Sequence, residues 1–73
     1  FLKKFKITQL NFINKRRWNI FINNRNKLML SEADPKKSLE NFIKIEKNLS
    51  KNELNNIKIF DLRNTSKTLL EYY

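Results

Sequence analysis

The sequence predicts an α+β domain, an antiparallel β-sheet with one helix packed on a face. Three observations lead there. Several short runs alternate apolar and polar residues at the period of a strand. One stretch, Asp34 to Leu49, repeats its apolar residues at helical spacing. The segments joining the strands are short and rich in Asn, Ser and Thr, which suits turns. The elements run strand, strand, strand, helix, strand, strand.

Lys6 to Ile13 is compatible with a strand, although its alternation is incomplete. Arg17 to Asn23 reads more clearly, with Trp18, Ile20 and Ile22 on one side and Asn19 and Asn23 on the other. Phe21 is the exception. Lys27 to Ser31 repeats the pattern with Leu28 and Leu30 inward. The connection between these two strands is sized by the faces it must match. A two-residue loop would set Trp18, Ile20 and Ile22 beside Lys27 and Met29. A three-residue loop puts Trp18, Ile20, Ile22, Leu28 and Leu30 together, and it is the one expected. Its last residue should be left-handed, a conformation that Asn tolerates better than other non-Gly residues.

The helix is the clearest element. Asp34 suits the N-cap and Pro35 the first helical position, and the next fourteen residues contain neither Gly nor Pro. Leu39, Phe42, Ile43, Glu46 and Leu49 trace one face, with Ile45 on its flank. The polar run Ser50 to Asn56 ends it. Ile57 to Arg63 then reads as a strand, Asn64-Thr65-Ser66 as a turn, and Lys67 to Tyr73 as a terminal strand. Leu39, Phe42 and Ile43 are expected to pack against Trp18, Ile20, Leu28 and Ile59.

Composition excludes several kinds of chemistry. The 73 residues include no Gly, Cys or His and one Pro. Disulfides and thiolate or imidazole metal sites are therefore ruled out, as are nucleophile pairs that need His. Without Gly there is no P-loop and no dinucleotide fingerprint. No cofactor is expected, and Asp61 with Glu71 lacks the base and orienting groups of a catalytic carboxylate pair. The reading is non-enzymatic. No apolar run exceeds three residues, well short of the roughly 18 needed to span a bilayer. The chain starts at Phe1 rather than Met, and Lys3, Lys4 and Lys6 are not followed by the apolar core of a signal peptide. The N-terminus reads as a cut edge.

The formal net charge of +9 needs care. It could draw the chain to a polyanion. Yet Lys, Asn, Ile and Phe abound while Val and Gly are absent, the signature of A/T-rich codons. Apart from Lys15-Arg16-Arg17, the basic residues are scattered. Charge alone is weak evidence for nucleic acid.

One ordered set of features points further. Arg16-Arg17-Trp18, a short hairpin ending in Leu30, a helix opened by Asp34-Pro35, the strand Ile57-x-Ile59-x-Asp61-Leu62-Arg63 and a final strand follow one another. This set resembles the C-terminal part of the β domain of the FtsQ/DivIB cell division family, over roughly residues 16 to 73. The family's hairpin Gly is replaced by Arg25, so the left-handed residue falls on Arg25 or shifts to Asn26. The final strand is also more basic and aromatic than the family pattern.

The resemblance implies a non-catalytic divisome module, residues 1–73 being the C-terminal portion of a larger β domain. Family members carry an upstream transmembrane helix in the bacterial inner membrane and a POTRA domain, with the β domain on the periplasmic side. The region matching residues 57 to 73 would recruit FtsB-like and FtsL-like partners by strand addition to the last strand. Candidate partner-binding residues are Arg16, Arg63, Asn64, Ser66, Thr68, Leu70, Tyr72 and Tyr73. A strand at the edge of a sheet offers unpaired N–H and C=O groups, and alternate side chains set specificity. Arg63 could hold a partner carboxylate, with Arg16 a second basic contact. The terminal tyrosines are types enriched at binding hot spots, though neighbours on a strand face opposite ways. Trp18 is assigned to the core. The alternative is a small basic nucleic-acid-binding domain, such as a ribosome-associated protein, which would show a continuous basic face bearing exposed aromatics.

Overall fold

A computed structural model describes residues 5–14 and 16–73. Lys3, Lys4 and Lys15, among the basic positions noted above, lie outside the described residues. Five strands form one sheet: β1 (Ile7–Ile13), β2 (Arg17–Ile22), β3 (Asn26–Leu30), β4 (Ile57–Leu62) and β5 (Leu69–Tyr72). They lie side by side in chain order. Two helices, α1 (Pro35–Glu46) and α2 (Lys51–Asn56), connect β3 to β4. The α+β expectation holds, with one pairing that differs. β1/β2, β2/β3 and β4/β5 are antiparallel, but β3/β4 is parallel. The reason is the crossover. A helical connection carries the chain back along the sheet, so the next strand starts at the same end as the last.

The β2–β3 register is the expected one. Ile20 faces Leu28 and Ile22 faces Asn26, leaving Asn23, Asn24 and Arg25 as the loop. The left-handed residues are different from those expected. Asn23 and Asn24 have φ of 53° and 54°, and the Arg25 N–H donates to the Ile22 carbonyl at 3.0 Å. Two consecutive positive φ values at the centre of a four-residue turn are the type I′ pattern, which matches the twist of the flanking strands. Two Asn residues therefore supply what Gly usually supplies, and neither Arg25 nor Asn26 has to. Asn14, at φ 53°, repeats the device between β1 and β2.

Both helices have local causes. The Asp34 side chain accepts from the Lys37 N–H at 3.0 Å, and Pro35 follows it in the first turn. α2 was not expected. Ser50 accepts from the Glu53 N–H while Glu53 accepts from the Ser50 N–H, a reciprocal capping box. The Ser-x-x-Glu spacing carried that signal.

The core lies between the helices and β2, β3 and β4. Ile20, Ile22, Leu28, Leu30, Phe42, Ile57, Phe60 and Leu62 are buried, with Leu39, Ile43, Ile45 and Leu49 packed around them. Phe42 meets Phe60 edge to face at 5.0 Å and Phe5 at 5.6 Å. Ile59 is not among the core residues. A bulge between Ile57 and Ile59 lets Ile57, Phe60 and Leu62 all point inward, which leaves Ile59 on the opposite face. Trp18 is also not buried. It is 40% exposed, and its ring lies 4.6 Å from Phe12 across the β1–β2 pair. α1 packs on β3 and β4, so its cover stops short of this end of the sheet.

Two buried polar side chains fasten the parallel pair. Ser38 Oγ accepts from the Ser31 N–H at 2.8 Å and donates to the Leu62 carbonyl at 2.7 Å. Asn26 Nδ2 donates to the Leu54 and Ile57 carbonyls at 2.9 and 2.7 Å. Phe42→Ala should destabilise the fold by about 3–5 kcal/mol, as expected for a fully buried aromatic. Ser38→Ala removes far less volume but strands two buried backbone groups, at about 1–3 kcal/mol each. Chemical denaturation of both variants checks this. A Ser38→Ala loss below a few tenths of a kcal/mol would show that the bridge is not structural.

Candidate functional site

β5 is the last strand of the sheet and, among the described residues, is paired only with β4. Its register sets Leu69 opposite Asp61, Leu70 opposite Phe60, Glu71 opposite Ile59 and Tyr72 opposite Ile57. The strand is shorter than expected, since Lys67 and Thr68 lie outside it. Leu70 and Tyr72 share the helix side of the sheet, where Leu70 is half-buried against the core and Tyr72 is 60% exposed. Leu69 and Glu71 share the helix-free face.

The edge can be read from one hydrogen bond. The Tyr73 N–H donates to the Asn56 carbonyl at 3.0 Å, so the backbone of Tyr73 points toward β4. Backbone groups alternate sides along a strand, so Glu71 and Leu69 also point inward. The N–H and C=O groups of Leu70 and Tyr72 then face away from the sheet.

Tyr73 is held by its own chain. Its phenol donates to the Arg25 carbonyl, and the Arg25 guanidinium lies 4.7 Å from its ring centre. Arg25 Nε in turn donates to the Asn55 carbonyl at 2.6 Å. Of the two terminal tyrosines, Tyr72 is the one with no side-chain hydrogen bond or ring contact of this kind among the described residues.

Arg63 is exposed just beyond β4, and its guanidinium is already engaged. Nε and one terminal nitrogen meet the two Asp61 carboxylate oxygens at 2.9 and 2.7 Å. Residues two apart on a strand share a face, so the Asp-x-Arg spacing could have disclosed this pair. The Arg63 hydrogen bond holds the Asp61 carboxyl below its usual range, and Asp61 raises Arg63 in turn. A guanidinium has five N–H donors, so a partner carboxylate can still join.

The β4–β5 loop is ordered by its own residues. Asn64 Oδ1 accepts from the Ser66 N–H at 2.9 Å, and Asn41 Nδ2 donates to the Thr65 carbonyl at 2.9 Å. Asn64 and Ser66 are exposed, and Thr68 is half-buried. Arg16 sits in the β1–β2 turn, at the same end of the sheet as Arg63 but with β3 between them. The structure gathers Arg63, Asn64, Ser66, Thr68, Leu70 and Tyr72 along one edge and leaves Arg16 apart.

The residues that sequence reasoning missed lie on the helix-free face. A groove there is lined by Lys27, Met29, Ile59, Asp61, Leu69 and Glu71, among others. At the opposite edge, Ile7, Leu10 and Phe12 of β1 are also exposed. Among the described residues no helix is long and apolar enough to cross a membrane, and no cluster of side chains could hold a metal ion.

A family model described as "Cell division protein FtsQ/DivIB, C-terminal" matches residues 1–63. That range takes in β1 to β4 and ends at Arg63, before β5. No curated protein and no solved structure matches the chain.

The Asp61–Arg63 pair predicts an acid-sensitive term in stability. Because the folded carboxyl titrates below the ordinary Asp value of 3.8, its contribution is complete above that pH. It is lost as pH falls through the lower folded value. Asp61→Asn should flatten the dependence of the unfolding midpoint on pH below about 4. Identical acid profiles for the two proteins would exclude the pair as a source of stability.

Proposed function

The chain belongs to the FtsQ/DivIB C-terminal family, and from that premise we propose that it is a non-catalytic division module recruiting an FtsB-like partner, with an FtsL-like protein alongside, by strand addition to β5. The observation that carries this reading is the outward backbone of Leu70 and Tyr72 on a terminal strand. An incoming strand satisfies those groups, and backbone pairing supplies affinity that most side-chain changes leave intact. Arg63 accepts a partner carboxylate beside Asp61, and the exposed ring of Tyr72 offers apolar area. The segment acts on the periplasmic side, in a protein anchored to the inner membrane by an upstream helix.

We propose also that residues 1–73 are the C-terminal portion of a larger β domain. The support is β1. Its seven residues, Ile7–Ile13, include no charge and no Pro, and Leu10 and Phe12 are about half exposed. Such an edge pairs readily with another strand unless one already covers it. An upstream segment of the same polypeptide is the natural cover.

For the nucleic-acid alternative, four exposed lysines stand apart from the exposed aromatic rings of the strands. The exposed Lys36, Lys44, Lys47 and Lys51 are on or between the helices, whereas the exposed rings of Phe12, Trp18 and Tyr72 are on strands. Arg16, by contrast, is exposed two residues from Trp18, and the Arg25 guanidinium lies over the Tyr73 ring.

Deleting residues 64–73 should abolish binding to the extramembrane segment of an FtsB-like partner, measured by calorimetry with folding checked by circular dichroism. Unchanged binding would refute the edge, and binding to nucleic acid instead of that segment would overturn the assignment. Tyr72→Pro removes an outward N–H and should weaken binding roughly three- to tenfold beyond Tyr72→Ala. Arg63→Glu should weaken it by several kcal/mol if the pair with the partner carboxylate is desolvated, and by little at a wet rim. For the domain proposal, sedimentation of the 73-residue chain should reveal association at high concentration that Phe12→Lys suppresses. A monomer that unfolds cooperatively at the same concentration would count against it.

A further inference from the structure

The helix-free face of the β5 edge carries an ordered charge pattern. Leu69 and Glu71 stand on this face because they pair with Asp61 and Ile59, which in turn pair with Met29 and Lys27. Beyond Leu69, at the loop end, Arg63, Asn64 and Lys67 line a second hollow that also touches Asp61 and Leu69. Along the edge the face therefore reads basic, apolar, acidic: Arg63 with Lys67, then Leu69, then Glu71.

Leu69 and Glu71 are open to a newcomer, and Arg63 keeps N–H donors beyond the two that Asp61 holds. Leu69 is 55% exposed above the groove floored by Met29 and Ile59. Glu71 is exposed and has no ion pair among the described residues, whereas the Asp61 carboxylate is already held by Arg63. Lys27, the other cation of the groove, directs its ammonium over the Phe21 ring at 5.8 Å, on the side away from β5. Glu71 is thus an acidic side chain with no cation on it among the described residues, on the edge strand of a chain whose formal net charge is +9.

We propose that the strand docking on β5 presents an acidic, an apolar and a basic side chain at alternate positions, aligned with Arg63 and Lys67, with Leu69 and with Glu71. This rests on strand addition to β5 and specifies what that strand must carry. The apolar residue covers Leu69 and enters the groove. The two charges fix the register, because a two-residue slip brings one charge against the apolar position and leaves the other unmatched. The pattern also reports direction. A strand parallel to β5 meets the basic end first and needs Glu-x-Leu-x-Lys. An antiparallel strand meets Glu71 first and needs Lys-x-Leu-x-Glu.

Capped peptides of nine residues carrying each order, and a third with both charges replaced by Gln, are titrated into the 73-residue chain by NMR. One charge order should bind more tightly than the Gln peptide and the other more weakly, by roughly two- to fivefold per charge pair. Glu71→Lys should reverse the preference at the basic peptide position, and substituting Glu for that peptide Lys should restore binding to Glu71→Lys. Equal affinity of the two orders for the unaltered chain, or indifference to Glu71→Lys, would overturn the proposal. These outcomes are separable from failure of strand addition itself, in which the chain lacking residues 64–73 would bind every peptide as well as the full chain does.

Discussion

The parallel pairing of β3 with β4 is the constraint on which the rest of this fold depends. It joins two parts of the chain that are distant in sequence, and it is closed at each end by a buried polar side chain. Ser38, on α1, bridges the backbone after β3 to the last carbonyl of β4. Asn26, at the start of β3, holds the end of α2 and the start of β4. Apolar burial in the core, Phe42 against Phe60 included, supplies attraction, but it is not directional. The two hydrogen-bonded side chains set which residues face each other. β5 can occupy the sheet edge only because β4 is fixed in this way.

The two edges of the sheet are built differently. β1 is long, uncharged and apolar on its exposed side, qualities that favour continuous association with a neighbouring strand. β5 is short, flanked by Lys67 and interrupted by Glu71, and it is followed by a tyrosine tied back to Arg25. Charge on an edge discourages indiscriminate pairing and leaves room for selection. An intrachain neighbour suits the first edge, and a separate partner suits the second.

Much of this architecture was legible from periodicity. Trp18, Ile20 and Ile22 against Leu28 and Leu30 required the three-residue loop that the structure contains, because a slip of one residue inverts a face. The Asp34-Pro35 start of α1 was equally plain. What escaped was of two kinds. Ser38 and Asn26 look like surface residues in a sequence, since nothing in their own neighbourhood reveals the distant carbonyls they satisfy. The parallel pairing escaped for the same reason. Other features had local signals that apolar pattern reading passes over: the Ser50-x-x-Glu53 box behind α2, and the Asp61-x-Arg63 pair. The bulge that turns Ile57 inward and Ile59 outward broke the alternation where strict period two was assumed. At the edge, the candidate residues from Arg63 to Tyr72 do gather together. The exception is Arg16, whose separation is a matter of strand order and not of sequence pattern.

The crossover also has a consequence for the timing of assembly. The hairpins β1–β2 and β2–β3 join neighbouring residues and close at little entropic cost, whereas β3 and β4 must find each other across a loop that includes both helices. Folding rates fall as such distant contacts come to dominate, which makes this the slow step. β5 depends on β4, and its loop is fastened to α1 through Asn41, so the β5 edge forms after the crossover has closed. A chain stalled before the crossover closes has no such edge to display. Any strand pairing at β5, as proposed above, is therefore conditional on completed folding of the crossover.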